Sequence, residues 1–364
     1  MTTTYDARAA ARLGALGTKR NVRILAIETS CDETAAAIVQ NGRTVLSSAV
    51  HTQIPLHVPY GGVVPEIASR SHVTKIGPVV GKALADAGMM LADADAVAVT
   101  NGPGLVGALL VGLSYAKGLA YAAGLPFLGV HHIASHIAAN YLTHPELRPP
   151  FVCLVVSGGH SEIIAVEGYD RYRLIGSTRD DAAGEAFDKA ARALGLPYPG
   201  GPNLEALAEG GDPNRYSFHS AFNEGAGFDF SFSGIKTALV NRLEQARRSG
   251  EAVDRADLAA SFQRTIVEIL TEKAVRAARS QPGETGGKLA LAGGVSANKA
   301  LRAALEQRAR AQGIAFYCPE FRYCTDNAAM VGAAAYEKLC AGRVDALSLN
   351  AVPYLAIGTA PDGA

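Results

Sequence analysis

The sequence predicts an α/β protein built from two related lobes. Short runs of branched apolar residues alternate with longer segments of helical spacing, the mixture that makes sheets covered by helices. One pattern also occurs twice: an apolar strand, a small polar turn, a second strand and then a third. It begins at Arg23 and again about 128 residues later at Phe151. The likeness is of pattern rather than identity, and it suggests two lobes that each open on a hairpin with a polar tip.

The elements follow in order. Residues 1–20 carry Arg8, Arg12, Lys19 and Arg20 without an apolar core; they read as a loose tail before the first strand rather than a secretory signal. Residues 23–27 form a strand, residues 29–34 a polar tip, and residues 35–39 the next strand. Asn41 and Gly42 turn the chain, and residues 44–46 continue as a third strand. Residues 100–104 read as a loop feeding a helix over 105–124 that is apolar enough to be buried. Residues 151–156, 162–166 and 172–175 repeat the strand pattern around the turn at 157–161. Phe262, Ile266 and Leu270 recur every four residues within a helix over 256–279. Residues 289–292 form a short strand ending in Gly293 and Gly294, with a helix expected from near Ser296 or Ala297. Asp326 opens an Ala-rich helix to about Leu339. The expected boundaries are a tail at 1–20, a first lobe at 21–150, a second at 151–345 and a tail at 346–364.

Composition excludes several classes. Lys+Arg and Asp+Glu balance at 34 each, hydrophobic residues reach 48% and charged residues 19%. An intrinsically disordered chain needs the opposite balance, and a chain that grips nucleic acid by its global field needs a positive excess. The 39 glycines follow no Gly-X-Y period, so the excess points to tight turns and close backbone approaches. Five cysteines without CxxC spacing argue against a disulfide framework or zinc ribbon and favour a reducing, cytoplasmic setting. With no run of 18 apolar residues recognised, no membrane span is expected.

Several motifs bear chemistry. Ser157, Gly158, Gly159 and His160 form a Gly turn whose amides suit a phosphate; the alternative is an ordinary hairpin turn. Asp32 and Glu33, at the first tip, can orient water, a metal or a nucleophile, or simply be solvated. His132 and His136 stand four apart, on one face of a helix. A zincin peptidase needs Glu directly after the first His, and that position is Ile133. With Asp326 as a third ligand, the set suits Fe2+ or Zn2+. Asp188 can accept from ribose hydroxyls, or belong to a charged helix face. Gly293, Gly294 and Asn298, between a strand and a helix, can lie against an adenosine.

Taken together, these motifs resemble the TsaD family of tRNA N6-adenosine threonylcarbamoyltransferases. The match runs in family order through Glu28, Thr29, Ser30, Cys31, Asp32, Glu33 and Thr34; His132 and His136; Val156 to Glu162; Asp181 to Lys189; Tyr198, Pro199, Gly200 and Gly201; Phe232 to Lys236; Gly293 to Asn298; and Thr325, Asp326 and Asn327. The resemblance implies the fold of actin, Hsp70 and sugar kinases, with two ribonuclease-H-like lobes around a nucleotide cleft. It implies transfer of threonylcarbamoyl from L-threonylcarbamoyl-adenylate, made by a separate upstream synthase, to N6 of adenosine 37 in tRNAs that read codons starting with A. It implies one divalent metal on His132, His136 and Asp326, Fe2+ favoured and Zn2+ an alternative. It places Val156, Ser157, Gly158, Gly159 and His160 at the donor's phosphate and carbamoyl groups, Asp188, Gly201 and Asn298 at its ribose and base, and Asp32 and Glu33 near proton transfer. Bacterial members work with TsaB-like and TsaE-like partner proteins. The competing readings are a metallopeptidase and a small-molecule kinase of the same superfamily.

Overall fold

A computed structural model describes residues 4–220, 222, 223 and 225–358. Within them the chain forms two compact units: the described residues of 4–56, 63–147 and 319–358 make the first, and those of 57–62 and 148–318 the second. The terminal residues 1–3 and 359–364 of the two expected tails lie outside the described residues.

The first unit begins with helix α1 (Tyr5–Ala15), then strands β1 (Arg23–Glu28), β2 (Glu33–Gln40) and β3 (Thr44–Thr52). A short helix α2 (Ile54–His57) precedes α3 (Pro65–Asp86), β4 (Ala96–Gly102), α4 (Val106–Ala123), β5 (Phe127–His131) and α5 (His132–Thr143). The second unit contains β6 (Phe151–Val156), β7 (Ser161–Gly168), β8 (Arg171–Ser177), α6 (Ala183–Ala193), α7 (Gly200–Ala208), α8 (Ser233–Ser249), α9 (Arg255–Ser280), α10 (Gly283–Gly286), β9 (Lys288–Ala292), α11 (Lys299–Ala311) and β10 (Ala315–Tyr317). The chain then returns to the first unit with α12 (Ala328–Cys340).

The two sheets share one topology. Their orders are β3-β2-β1-β4-β5 and β8-β7-β6-β9-β10. In each, three antiparallel strands precede two that add in parallel. The repeat read from the sequence is therefore a repeat of architecture, and the α/β fold of actin, Hsp70 and sugar kinases holds. The central strands β1, β4 and β6 are buried almost end to end, as strands covered on both faces must be. The edge strand β3 alternates between exposed and covered positions. At the β2–β3 turn Asn41 and Gly42 take φ of 54° and 62°, a left-handed pair that suits a tight hairpin.

One core surrounds α9, where Phe262, Ile266 and Leu270 are fully buried. Another lies under α12, where Ala328, Met330, Val331 and Leu339 meet Ala26, Ala37 and Val39. That packing returns residues after 318 to the first unit, so the expected second-lobe boundary at 345 gives way to Pro319.

Four other expectations change. The N-terminal segment is helical rather than loose: Tyr5 donates to the Leu125 carbonyl at 3.1 Å, and Arg8 donates to the Tyr121 carbonyl at 2.8 Å. The C-terminal segment is also anchored, Val352 N donating to Asn101 O at 2.8 Å and Gly104 N to Pro353 O at 3.1 Å. Helix α4 is only partly buried; Ala108, Leu109, Leu113, Ala116 and Ala120 pack inward, while Val106, Leu110 and Tyr121 are exposed. Its mean hydropathy over 18 residues is 1.3, so it is long and apolar enough to cross a membrane by length and composition, but Gly, Ser and Lys interrupt the run and Leu113, Ala116 and Ala120 pack in the core. Finally, α11 starts at Lys299 and α12 at Ala328, because Asn298 and Asn327 cap them by accepting from Leu301 N and Met330 N.

Gly293 sets the approach of the β9 loop to β6. Its φ is 87°, and a Cβ there would overlap the Val156 carbonyl. Gly293→Ala is expected to destabilise the protein by at least about 2 kcal/mol, measured by urea unfolding; an unchanged midpoint would contradict this close approach.

Candidate metal centre and Gly-turn site

The first unit gathers its polar groups at the ends of β1, β4 and β5. Helix α5 begins directly after β5, which places His132 and His136 one turn apart on one face. Their rings meet edge to face with centroids 4.6 Å apart. Asp326, just before α12, reaches the same place: its Oδ1 lies 3.1 Å from His136 Nε2 and 3.7 Å from His132 Nε2. One donor atom from each of the three residues falls within 4.8 Å of the others. His136 is 1% exposed; its Nδ1 makes no hydrogen bond, and its Nε2 faces only the Asp326 carboxylate. Buried imidazole nitrogens normally find partners, and a cation satisfies both rings and the carboxylate at once. The three residues therefore fit a divalent metal; two imidazoles and a carboxylate accommodate Fe2+ or Zn2+.

Glu28, to which its motif alone assigns no role, sits behind His132 at the end of β1. It is fully buried and accepts from Ser30 N at 2.5 Å and the Thr100 hydroxyl at 2.5 Å. Burial opposes its charge, but the His132 and Thr100 hydrogen bonds outweigh it and lower its pKa. Burial likewise opposes a charge on His132, yet Asp326 and Glu28 prevail and raise that pKa to about 9. A cation entering the site must displace that proton.

The acidic tip belongs to the same neighbourhood. Burial, then the fields of Asp326 and Asp32, push Glu33 up to about 9. Burial and the same carboxylates hold the Cys31 thiol well above its usual range, which disfavours the thiolate. His72 of α3 braces the tip, its ring nitrogens 2.8 Å from Thr34 Oγ1 and 2.9 Å from the Cys31 carbonyl. Ile133, where a zincin carries Glu, is an apolar side chain buried in the core.

The second unit assembles the Gly turn. Ser157 N donates to His160 O at 2.8 Å and His160 N to Ser157 Oγ at 3.1 Å, which closes the turn on itself. Gly158 and Gly159 are exposed, and a Cβ on either would meet nothing within 4 Å. Nothing in the surrounding fold demands glycine there, so the open space is available to a ligand. Gly184 has the opposite reason: a Cβ would lie 2.5 Å from the Ser157 carbonyl, so glycine lets α6 close against the turn. Val156 is buried in the core and offers backbone only.

Two expected adenylate residues have structural duties. Asp188 Oδ1 accepts from Gly200 N at 2.8 Å and Gly201 N at 3.1 Å, holding the turn that starts α7. Burial raises its pKa despite those bonds. Asn298 caps α11 with Oδ1, and its Nδ2 donates to Gln263 at 2.8 Å. The remaining motif pieces explain one another: Asp180 accepts from Phe232 N at 2.8 Å and Ser233 N at 3.2 Å, and Asp181 pairs with Lys189 and Lys236 at 2.8 and 3.0 Å. Spacing alone could not reveal these partners.

A family model described as "tRNA N6-adenosine threonylcarbamoyltransferase" matches residues 44–333. Proteins with that name from Clostridium perfringens strain SM101 and Clostridium botulinum strain 657 are 52% and 51% identical; the alignments cover 92% and 93% of this chain and 98% and 99% of the relatives. Among solved structures, HypF from T. kodakarensis superposes with a TM-score of 0.60 at 14% identity, covering 88% of this chain and 48% of its own. The (R)-2-hydroxyglutaryl-CoA dehydratase component A of Acidaminococcus fermentans gives 0.54 at 15% identity, covering 88% and 99%. At such identities these structures establish the fold alone. The chain belongs to the TsaD family of tRNA N6-adenosine threonylcarbamoyltransferases.

Two outcomes are expected. His136→Ala should abolish stoichiometric zinc or iron uptake, read by elemental analysis, while circular dichroism stays unchanged; full occupancy in the variant would remove His136 from the ligand set. The second concerns Glu162, whose pKa burial raises to about 7 and whose Oε2 has no hydrogen bond. A carboxyl raised on folding stabilises below its unfolded pKa, and that contribution disappears as pH rises through about 7. Glu162→Gln should therefore raise stability by on the order of 1–3 kcal/mol at pH 8.5 and change little at pH 4; denaturant unfolding that gives the same difference at both pH values would refute it.

Proposed function

We propose that this chain transfers threonylcarbamoyl from L-threonylcarbamoyl-adenylate to N6 of adenosine 37 in tRNAs reading codons that start with A, releasing AMP. The observation that carries the reading is the name shared by relatives more than half identical over nearly the whole chain. The His132, His136 and Asp326 cluster and the open Gly turn support it.

The chemistry asks for positioning more than activation. The donor is a mixed anhydride, so its leaving group departs readily. The N6 amine is a weak nucleophile because its lone pair is delocalised into the ring. The protein must hold the carbamoyl carbon against N6 and stabilise charge on the carbamoyl oxygen. His132, His136 and Asp326 would hold a divalent ion, which would supply Lewis acidity. The amides of Gly158 and Gly159 suit the donor phosphate, with Val156, Ser157 and His160 shaping that turn. Asp188 fixes the turn that presents Gly201 to the nucleoside. Asn298, with one hydrogen on Nδ2 beyond its Gln263 bond, serves the ribose or base. Asp32 and Glu33 are the proposed proton-transfer groups.

The acceptor tRNA meets a chain with no net charge, so phosphate attraction falls to local patches and to partners. In this reading TsaB-like and TsaE-like proteins and a separate adenylate-forming synthase complete a cytoplasmic system. Incubation with tRNA, threonine, bicarbonate, ATP, the synthase and those partners should give N6-threonylcarbamoyladenosine in the digested tRNA, detected by mass spectrometry. No modified nucleoside, with every other component shown active, would refute the proposal.

A further inference from the structure

We infer that Glu28 is the positioning residue of the metal centre, fixing the ring and tautomer of His132 so that Nε2 faces the ion; this rests on the cluster holding a metal. Glu28 ends β1 directly after the buried apolar run Ile24, Leu25, Ala26 and Ile27 and has no solvent exposure. Placing a carboxylate there is costly unless it is paired and hydrogen-bonded. The fold itself does not ask for it. Strands β1 and β6 each have six residues and the same place in their sheets, and the position equivalent to Glu28 is the apolar Val156.

The partners of Glu28 give the reason for its presence. Oε1 is held by Ser30 N at 2.5 Å and Oε2 by the Thr100 hydroxyl at 2.5 Å. Oε2 also lies 3.4 Å from His132 Nδ1. Ser30 Oγ is 3.2 Å from the same nitrogen, but a hydroxyl both donates and accepts, so it cannot choose the tautomer. An ionised carboxylate only accepts. Beside it, a neutral His132 carries its proton on Nδ1 and leaves the Nε2 lone pair toward Asp326 and the ion. Thr100, from β4, and Ser30 restrain the carboxylate from two sides, so the ring orientation is set by groups far from His132 in sequence.

The test compares wild type with Glu28→Gln and Thr100→Val by zinc competition against a chromophoric chelator and by the visible spectrum of the cobalt-loaded protein. Glu28→Gln should weaken zinc binding about 10–100-fold and alter the cobalt bands, a signature that a purely structural change would leave alone. Thr100→Val should shift both readouts in the same direction by less. Unchanged affinity and spectrum in a folded Glu28→Gln would overturn the inference. If that variant does not fold, unchanged values in Thr100→Val would overturn it. A wild type without stoichiometric metal would instead overturn the metal reading on which it rests.

Discussion

Everything at the proposed centre depends on a line of buried charge: Glu28, His132 and Asp326. Two carboxylates flank one imidazole, and a second imidazole, His136, faces the outer carboxylate. None of these groups would be stable in the interior alone. Together they neutralise one another in part, and His136 Nδ1 is left without a hydrogen bond while Nε2 faces only the Asp326 carboxylate. The proposed divalent cation would complete the cluster, in place of the proton that the two carboxylates favour on His132.

The fold exists in a form that makes this line possible. β1 ends in Glu28, β4 brings Thr100, β5 runs directly into α5 with its two histidines, and the chain returns at Pro319 to set Asp326 before α12. Parallel strands end together at one edge of a sheet, so residues from four distant segments converge there. The second unit uses the same topology for a different purpose. At its corresponding edge stand the Gly turn after β6 and the Gly293 loop after β9, with Gly184 drawing α6 against the turn. One architecture, used twice, carries the candidate metal cluster at one edge and the open Gly turn at the other.

Much of this was legible in the sequence. The strand and helix pattern, the twofold repeat and the His132 and His136 pair are legible from spacing, because periodicity is a local property; Asp326, distant in sequence, joins them through the family motif. What could not be read was pairing. Glu28 resembled any residue of a motif until Thr100 and His132 appeared beside it. The motif marks Asp188 as a ribose acceptor but does not show that its Oδ1 also holds Gly200 N and Gly201 N. Asn298 looked like a nucleoside reader and also caps a helix. The return of residues after 318 to the first unit, and the anchoring of both termini, depend on packing that links distant segments. Sequence spacing carries no record of such links.

X-ray absorption on the metal-loaded protein tests the central claim most directly. A first shell of nitrogen and oxygen only, with metal–nitrogen distances of about 2.0–2.1 Å for zinc and the outer-shell scattering of two imidazoles, is the predicted result. A sulfur ligand, or a shell without imidazole scattering, would contradict the assignment of the metal to His132, His136 and Asp326.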